Sequence, residues 1–241
     1  MFSVMKAKYW LLVLALVMFG AFPGKGMAVP TSIFIDNHSF EDHNDFTFGD
    51  NRGNWNDSIL GWVTTGVTGT YEPSTPGNPI GGIGSDVFSD DVPDGSNTAY
   101  SNGGNISQVL GDVLTADTKY TLSVDVGDRL DHILPSHSIQ LRAGLNILGS
   151  AIANPDDGNF IEASLMYTAN VGDPGIGSAL AIWLVNDGTP VVGEQVNWDN
   201  VQLTAEPVPE PTTVALLGIG LVGLAGVAVR RKRRKKAVDK G

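Results

Sequence analysis

The sequence predicts an all-β protein, a β-sandwich or jelly roll in a single domain over residues 29–205, flanked by two membrane-directed ends. Three observations point there. Residues 31–205 break into short stretches of alternating polarity, separated by clusters of Gly, Asp, Asn and Pro. No window between them carries a long amphipathic helical stripe. The 241-residue chain has 30 glycines and no cysteine, which suits many tight turns around a core held without disulfides.

The clearest strand is Lys119–Val126, where Tyr120, Leu122, Val124 and Val126 share one face and Thr121, Ser123 and Asp125 the other. Ser138–Ala143 repeats the pattern with Ile139, Leu141 and Ala143. Further strands are expected over 33–40, 61–65, 97–101, 106–110, 160–169, 179–185 and 195–204. Trp62 and Trp198 read as core anchors.

Charge divides the chain. The formal net charge is −11, but residues 29–205 hold 23 acids against Arg52, Lys119, Arg129 and Arg142, a balance of −19, while both ends are positive. So acidic a domain argues against nucleic acid as a partner, because phosphate binding needs a basic footprint.

Residues 1–28 read as a secretory signal peptide. Lys6 and Lys8 precede an apolar stretch from Tyr9 to Phe22, and Gly26-Met27-Ala28 supplies the small residues of a cleavage site. At the other end, Ala205–Pro211 is a stiff proline-rich linker that opens the sorting tail, residues 206–241. It is followed by an uncharged apolar run to Val229 and by seven consecutive cations from Arg230 to Lys236. As a helix of ~18 residues, the run spans ~27 Å, enough for one transmembrane helix through a thin bilayer. The basic cluster would stay cytoplasmic and leave residues 29–205 outside.

Val208-Pro209-Glu210-Pro211, the glycine-punctuated apolar helix and the basic end together resemble the PEP-CTERM sorting signal of Gram-negative bacteria. The resemblance implies an exosortase as processing partner, with Pro209, Glu210 and Pro211 as the recognition element. Arg230, Arg231, Lys232, Arg233 and Arg234 would be the stop-transfer cluster. It also implies transit through the inner membrane and delivery to the cell surface or extracellular matrix. Gly218–Gly223 satisfies a GxGxxG pattern, but with no strand before it and an apolar helix around it, dinucleotide binding does not follow.

Within 31–205, six strings follow one another: Asn37-His38-Ser39-Phe40-Glu41, Gly61-Trp62-Val63, Asp94-Gly95-Ser96-Asn97, Ile106–Leu110, Tyr120–Val126 and Trp198-Asp199-Asn200-Val201-Gln202-Leu203. In that order they resemble the galactose-binding-like jelly roll of carbohydrate-binding modules. In such modules an acid closing the first string and an Asp opening the last strand share a structural calcium ion. The matching residues are Glu41 and Asp199, and two hard carboxylates on adjacent first and last strands suit Ca2+.

No other motif marks a chemistry. Asp90–Ser101 fails as an EF-hand loop, Asn154–Asn159 reads as a turn, and the acids of Asp42–Asp57 read as a solvated loop. The four histidines have no HExxH spacing, and neither a GxSxG elbow nor a P-loop is present. The remaining candidates are aromatic: Trp55, Tyr71, Tyr100 and Trp183 could stack on sugar rings. The expectation is therefore a non-enzymatic exported protein that binds glycan or exopolysaccharide. The alternatives are a structural matrix component without a ligand and a surface hydrolase.

Overall fold

The computed structural model describes residues 29–80, 86–188 and 193–208, with Gly220 alone in the tail. The signal peptide, Pro209–Pro211, nearly all of the transmembrane run and the basic cluster lie outside the described residues. No helix among the described residues is long and apolar enough to cross a membrane.

The described residues between 29 and 208 contain no helix and build two antiparallel sheets of a jelly-roll sandwich. One sheet has eight strands. Its path runs through β11 (Phe160–Ala169), β8 (Thr118–Gly127), β13 (Val196–Pro207), β6 (Thr98–Ser101), β5 (Thr68–Pro73), β3 (Gly53–Asn56) and β2 (Phe48–Asp50), and β1 (Thr31–Ser32) pairs with β13. The other runs β10 (Asn146–Ala151), β9 (His137–Ala143), β12 (Ala179–Asn186), β7 (Gly104–Val113) and β4 (Val63–Thr64).

The alternation read from the sequence decides which face is inside. Tyr120, Leu122, Val124 and Val126 of β8 are buried with Ile139, Leu141, Leu180, Ile182 and Leu184 of the facing sheet. Trp198 is fully buried in the same core, and the Trp62 ring lies 5.5 Å from that of buried Phe40.

Two expectations are corrected here. Residues 33–40 are not a strand: the chain leaves β1 after Ser32 and turns over residues 36–39, where Asn37 (φ 48°), followed by Phe40 (φ 60°), is left-handed and cannot continue a strand. The Asn37 side chain stabilises this turn by donating to the carbonyls of Asp42 and Leu60 and accepting from the Asp42 amide. The acidic stretch 42–57 is not wholly a solvated loop, because β2 and β3 form a hairpin within it. Strands β2, β3, β5 and β10 carry Gly, Asn, Asp or Pro inside them, which hid them from a reading based on apolar alternation.

Candidate functional site

The register of three short strands builds a pocket on the outer face of the eight-stranded sheet. Trp55 of β3 stands opposite Tyr71 of β5, and Gly69 of β5 stands opposite Tyr100 of β6. Strictly paired positions share a sheet face, so all three aromatic side chains point the same way. The other face of β6 carries Ala99, buried in the sandwich core. Two glycines let the rings lie low over the sheet. A Cβ at Gly53 would meet the Tyr71 ring at 2.6 Å, and one at Gly69 would meet Tyr100 at 2.8 Å.

The cavity bounded by these rings has a volume of about 450 Å3. Tyr71 and Tyr100 meet edge to face with centroids 6.4 Å apart, supported by buried Val87 and Phe88. Phe48 stacks on Trp55 at 5.9 Å. The opposite wall is charged. Buried Arg129 lies 4.7 Å over the Tyr71 ring, grips Asp131 through Nε and Nη2 at 2.9 Å each, and donates to Gln195 Oε1 at 3.1 Å. Gln195 passes the network on to Asn197, whose side chain donates to Thr98 Oγ1. Arg52 reaches Asp131 at 3.2 Å and Asp50 at 2.9 Å, and His132 Nδ1 lies 3.0 Å from Asp131.

These contacts separate the acids of the pocket. Burial alone would raise Asp131, but His132 and Arg129 hold it well below the usual carboxylate range. Asp50 is lowered too, since the amide and guanidinium of Arg52 outweigh its partial burial. Burial pushes the Tyr71 phenol up to about 12, and its hydroxyl is spent on the Arg52 carbonyl at 2.8 Å. Asp57 stands apart. It has no ion-pair partner among the described residues and accepts a 2.9 Å hydrogen bond from the Tyr100 hydroxyl, which burial and that carboxylate together raise.

Of the four aromatic candidates from the sequence, Trp55, Tyr71 and Tyr100 line this pocket and Trp183 does not. Trp183 lies on β12 in the other sheet, with the Arg142 guanidinium 3.9 Å over its ring. Asp57, Arg52, Arg129, Asp131, His132 and Gln195 form no sequence motif because they come from four separate loops and strands. One cue was available: Arg52 and Arg129 are two of only four cations in residues 29–205.

A second cluster lies at the 94–97 turn. Asp199 is fully buried, and accepts from the amides of Asp94 at 2.8 Å and Asn200 at 2.7 Å. Glu41 holds the other side of the turn, accepting from the amides of Ser96 and Asn97 and from the Asn97 side chain. Burial pushes Asp199 up to about 8 against those two amides, with the charges of Asp94 and Glu41 adding to the rise. A bulge after Asp199, with Asn200 left-handed at φ 49°, aims this carboxylate at the turn. No group of three or more metal-ligating side chains is found among the described residues.

A family model described as HpiC1 cyclase matches residues 31–204, almost all of the described domain. The chain belongs to the HpiC1-like cyclase family. A Stig cyclase from Fischerella sp. TAU, solved with (3Z)-3-(1-methyl-2-pyrrolidinylidene)-3H-indole, is 25% identical with a TM-score of 0.62, covering 75% of this chain and all of that one. A cyclase from the same source, solved with 4-(1H-indol-3-yl)butan-2-one, is 25% identical with a TM-score of 0.60, covering 74% of this chain and 99% of that one. The CBM22-1 xylan-binding domain from Paenibacillus barcinonensis is also matched, at 15% identity and a TM-score of 0.39 over 77% of this chain and 98% of that domain. No curated protein matches the chain. The PEP-CTERM sorting motif matches residues 207–234, which implies export and sorting toward the envelope of a Gram-negative bacterium and is consistent with processing by an exosortase.

Membership of a cyclase family overturns the expectation of a non-enzymatic glycan-binding protein, and with it the two alternatives offered beside it. The physical reason is that only catalytic signatures with fixed spacing are legible in contiguous sequence. A ring closure needs no paired metal ligands and no nucleophile elbow. A shaped apolar pocket with one proton-handling group suffices, and the tertiary fold assembles that from distant residues.

Proposed function

We propose that this HpiC1-like family member is an exported cyclase that closes a ring on a flat, unsaturated, indole-type substrate held in the aromatic pocket. The observation that carries this reading is the Tyr100–Asp57 pair, 2.9 Å apart, at the edge of a cavity lined by Trp55 and Tyr71. The indole ligands of the two Fischerella cyclases support the choice of substrate class. The step is an isomerisation and balances without a redox partner. A proton is added to an unsaturated carbon, a π bond of the same molecule attacks the resulting cation to form a C–C bond, and a proton is lost in return. Asp57, exposed at the rim, exchanges protons with solvent and passes them at Oδ2, while the Tyr100 hydroxyl, donating to Oδ1, fixes its orientation. The ring faces of Trp55 and Tyr71 stabilise the developing positive charge and exclude water from it.

The test is incubation of the purified full-length chain in detergent with indoles bearing alkenyl side chains, read by chromatography with mass detection. A product of unchanged mass and new retention time is expected, its formation reduced in Asp57→Asn. No isomer from any such indole, or an undiminished Asp57→Asn variant, would overturn the reading.

In this reading residues 1–28 direct export and 29–205 form the catalytic domain. The 206–241 tail crosses the inner membrane until an exosortase cuts near Pro209-Glu210-Pro211, releasing the enzyme to the cell surface or matrix. A calcium ion held by Asp199 and Glu41 with nearby backbone oxygens joins the first and last strings of the domain. Supporting it, a fully buried carboxylate faces a second carboxylate with two amide donors and no cation in ion-pair range among the described residues.

A further inference from the structure

Resting on the reading of residues 206–241 as a membrane-crossing tail, we propose that the end of the sandwich from which this tail leaves docks on the phospholipid bilayer through apolar loop tips. A series of main-chain hydrogen bonds ties the elements of that end together. Val208 donates to the Asp117 carbonyl, and Asp117 to that of Ala169, at 2.7 Å each. Leu114 donates to the Ser178 carbonyl and accepts from the Gly177 amide at 2.9 Å each, and Gly144 donates to the Ala179 carbonyl at 3.0 Å. The exit of the chain, the β7–β8 turn, the β11–β12 loop and the β9–β10 turn therefore lie side by side.

Val113, Leu145, Val171, Ile176 and Val208 are exposed on these elements, Leu145 completely and Val171 by 80%. Leu145 does nothing for its own turn. Gly144, left-handed at φ 56°, bends β9 into β10, and the position after it ordinarily takes Gly, Asn or Asp. The length of the linker names the occupant. The apolar run of the tail has begun by Val214, six residues beyond Val208. Six residues reach at most ~20 Å, so an anchored tail keeps this end beside the lipid. A tether that short gives the tips an effective concentration on the order of millimolar at the bilayer, where weak insertions suffice. Charge decides the kind of surface. Asp112 and Asp117 are exposed here, Lys119 is paired with Glu206, and among the described residues this end has no basic cluster to hold anionic lipid. The contact is apolar and favours zwitterionic lipid. Strand β13 runs 12 residues, ~40 Å, from beside pocket-lining Gln195 to Pro207, so docking holds the pocket at the far, aqueous end.

Because the chain has no cysteine, a single one can carry an environment-sensitive fluorophore. Leu145→Cys, Val171→Cys and, at the opposite end after β10, exposed Ile152→Cys are each reconstituted as the full chain in phosphatidylcholine vesicles, with or without a lipid bearing a nitroxide just below its headgroup. With tips inserted ~5–10 Å, emission at 145 and 171 should shift to the blue and fall about twofold or more with the nitroxide, while 152 is unchanged. Val171→Ser should weaken the quenching at Leu145→Cys, and so should replacing half the lipid with phosphatidylglycerol. A blue shift without quenching means that a second copy covers the tips, and overturns the proposal. Unshifted labels on a chain that resists alkaline extraction overturn docking and leave the anchor standing. Release of the chain by alkaline extraction overturns both.

Discussion

The Tyr100 hydroxyl donates to Asp57 Oδ1 across 2.9 Å, linking β6 to the loop after β3 at the mouth of the aromatic pocket. Tyr100 is buried and Asp57 exposed, so the pair bridges the inside of the pocket and solvent. Removing either partner should affect chemistry more than folding. Asp57→Asn is expected to lower turnover by roughly 10²-fold or more, within the range of lost acid–base catalysis, while thermal melting stays within a few degrees of wild type. Tyr100→Phe should cost less, because the carboxylate remains. Parallel rate and melting measurements check this, and a proportional loss of both would refute the assignment.

Arg129 has a different task. It is buried, lies over Tyr71, and neutralises Asp131 from inside the protein. Arg129→Met keeps most of the side-chain volume and leaves Asp131 without its principal partner, so a loss of about 3 kcal/mol of unfolding free energy is expected. Urea denaturation measures it. Arg52→Met, at the half-exposed end of the same network, should cost less than ~1 kcal/mol.

Asp128 contributes a pH dependence unconnected with the pocket. Its Oδ1 is buried without a hydrogen-bond partner, and burial, with the Asp157 charge, raises it from 3.8 to about 6, although His137 pulls it down. A carboxyl raised in the folded state is favoured in its protonated form. Its stabilising contribution is therefore complete below about pH 4 and lost as pH rises through about 6. Asp128→Asn should match wild type near pH 4 and exceed it by roughly 1–2 kcal/mol at pH 7, after allowance for solvent screening. Unfolding measured from pH 4 to 7 with chelator present decides it. A variant that tracks wild type throughout is the contrary result.

Calcium supplies the fourth expectation. With millimolar Ca2+ the melting temperature should rise over that in chelator, by mass action on the folded state. Asp199→Asn should abolish the difference, and Glu41→Gln should reduce it. An equal shift in the Asp199→Asn variant would show that any bound calcium sits elsewhere.

The long alternating strands could be read directly from the sequence. In β8, from Lys119 to Val126, each residue's polarity reports its own environment, and the core face of that sheet follows from it. The pocket could not be read the same way. Of its strands, β6 falls within the expected 97–101 segment, but β3 and β5 are four and six residues long and carry Gly53, Gly69 and Pro73, so they present no alternation to detect. Trp55, Tyr71 and Tyr100 were recognisable as candidates, but they came with Trp183, chemically alike and on the opposite sheet.

The sequence by itself determined the all-β class, the core faces of the long strands and the tripartite tail. Each of these is written in contiguous residues whose periodicity or order is the physical property itself. The tertiary structure decided which aromatics meet, that Asp57 is the acid left without a cation, and that Glu41 and Asp199 grip one turn from two sides. Those relationships depend on strand register and on charges brought close from sequence separations of 43 to 105 residues. Chain closure over such distances leaves no local pattern, because the energy that selects these contacts resides in the packed sandwich rather than in any segment of it.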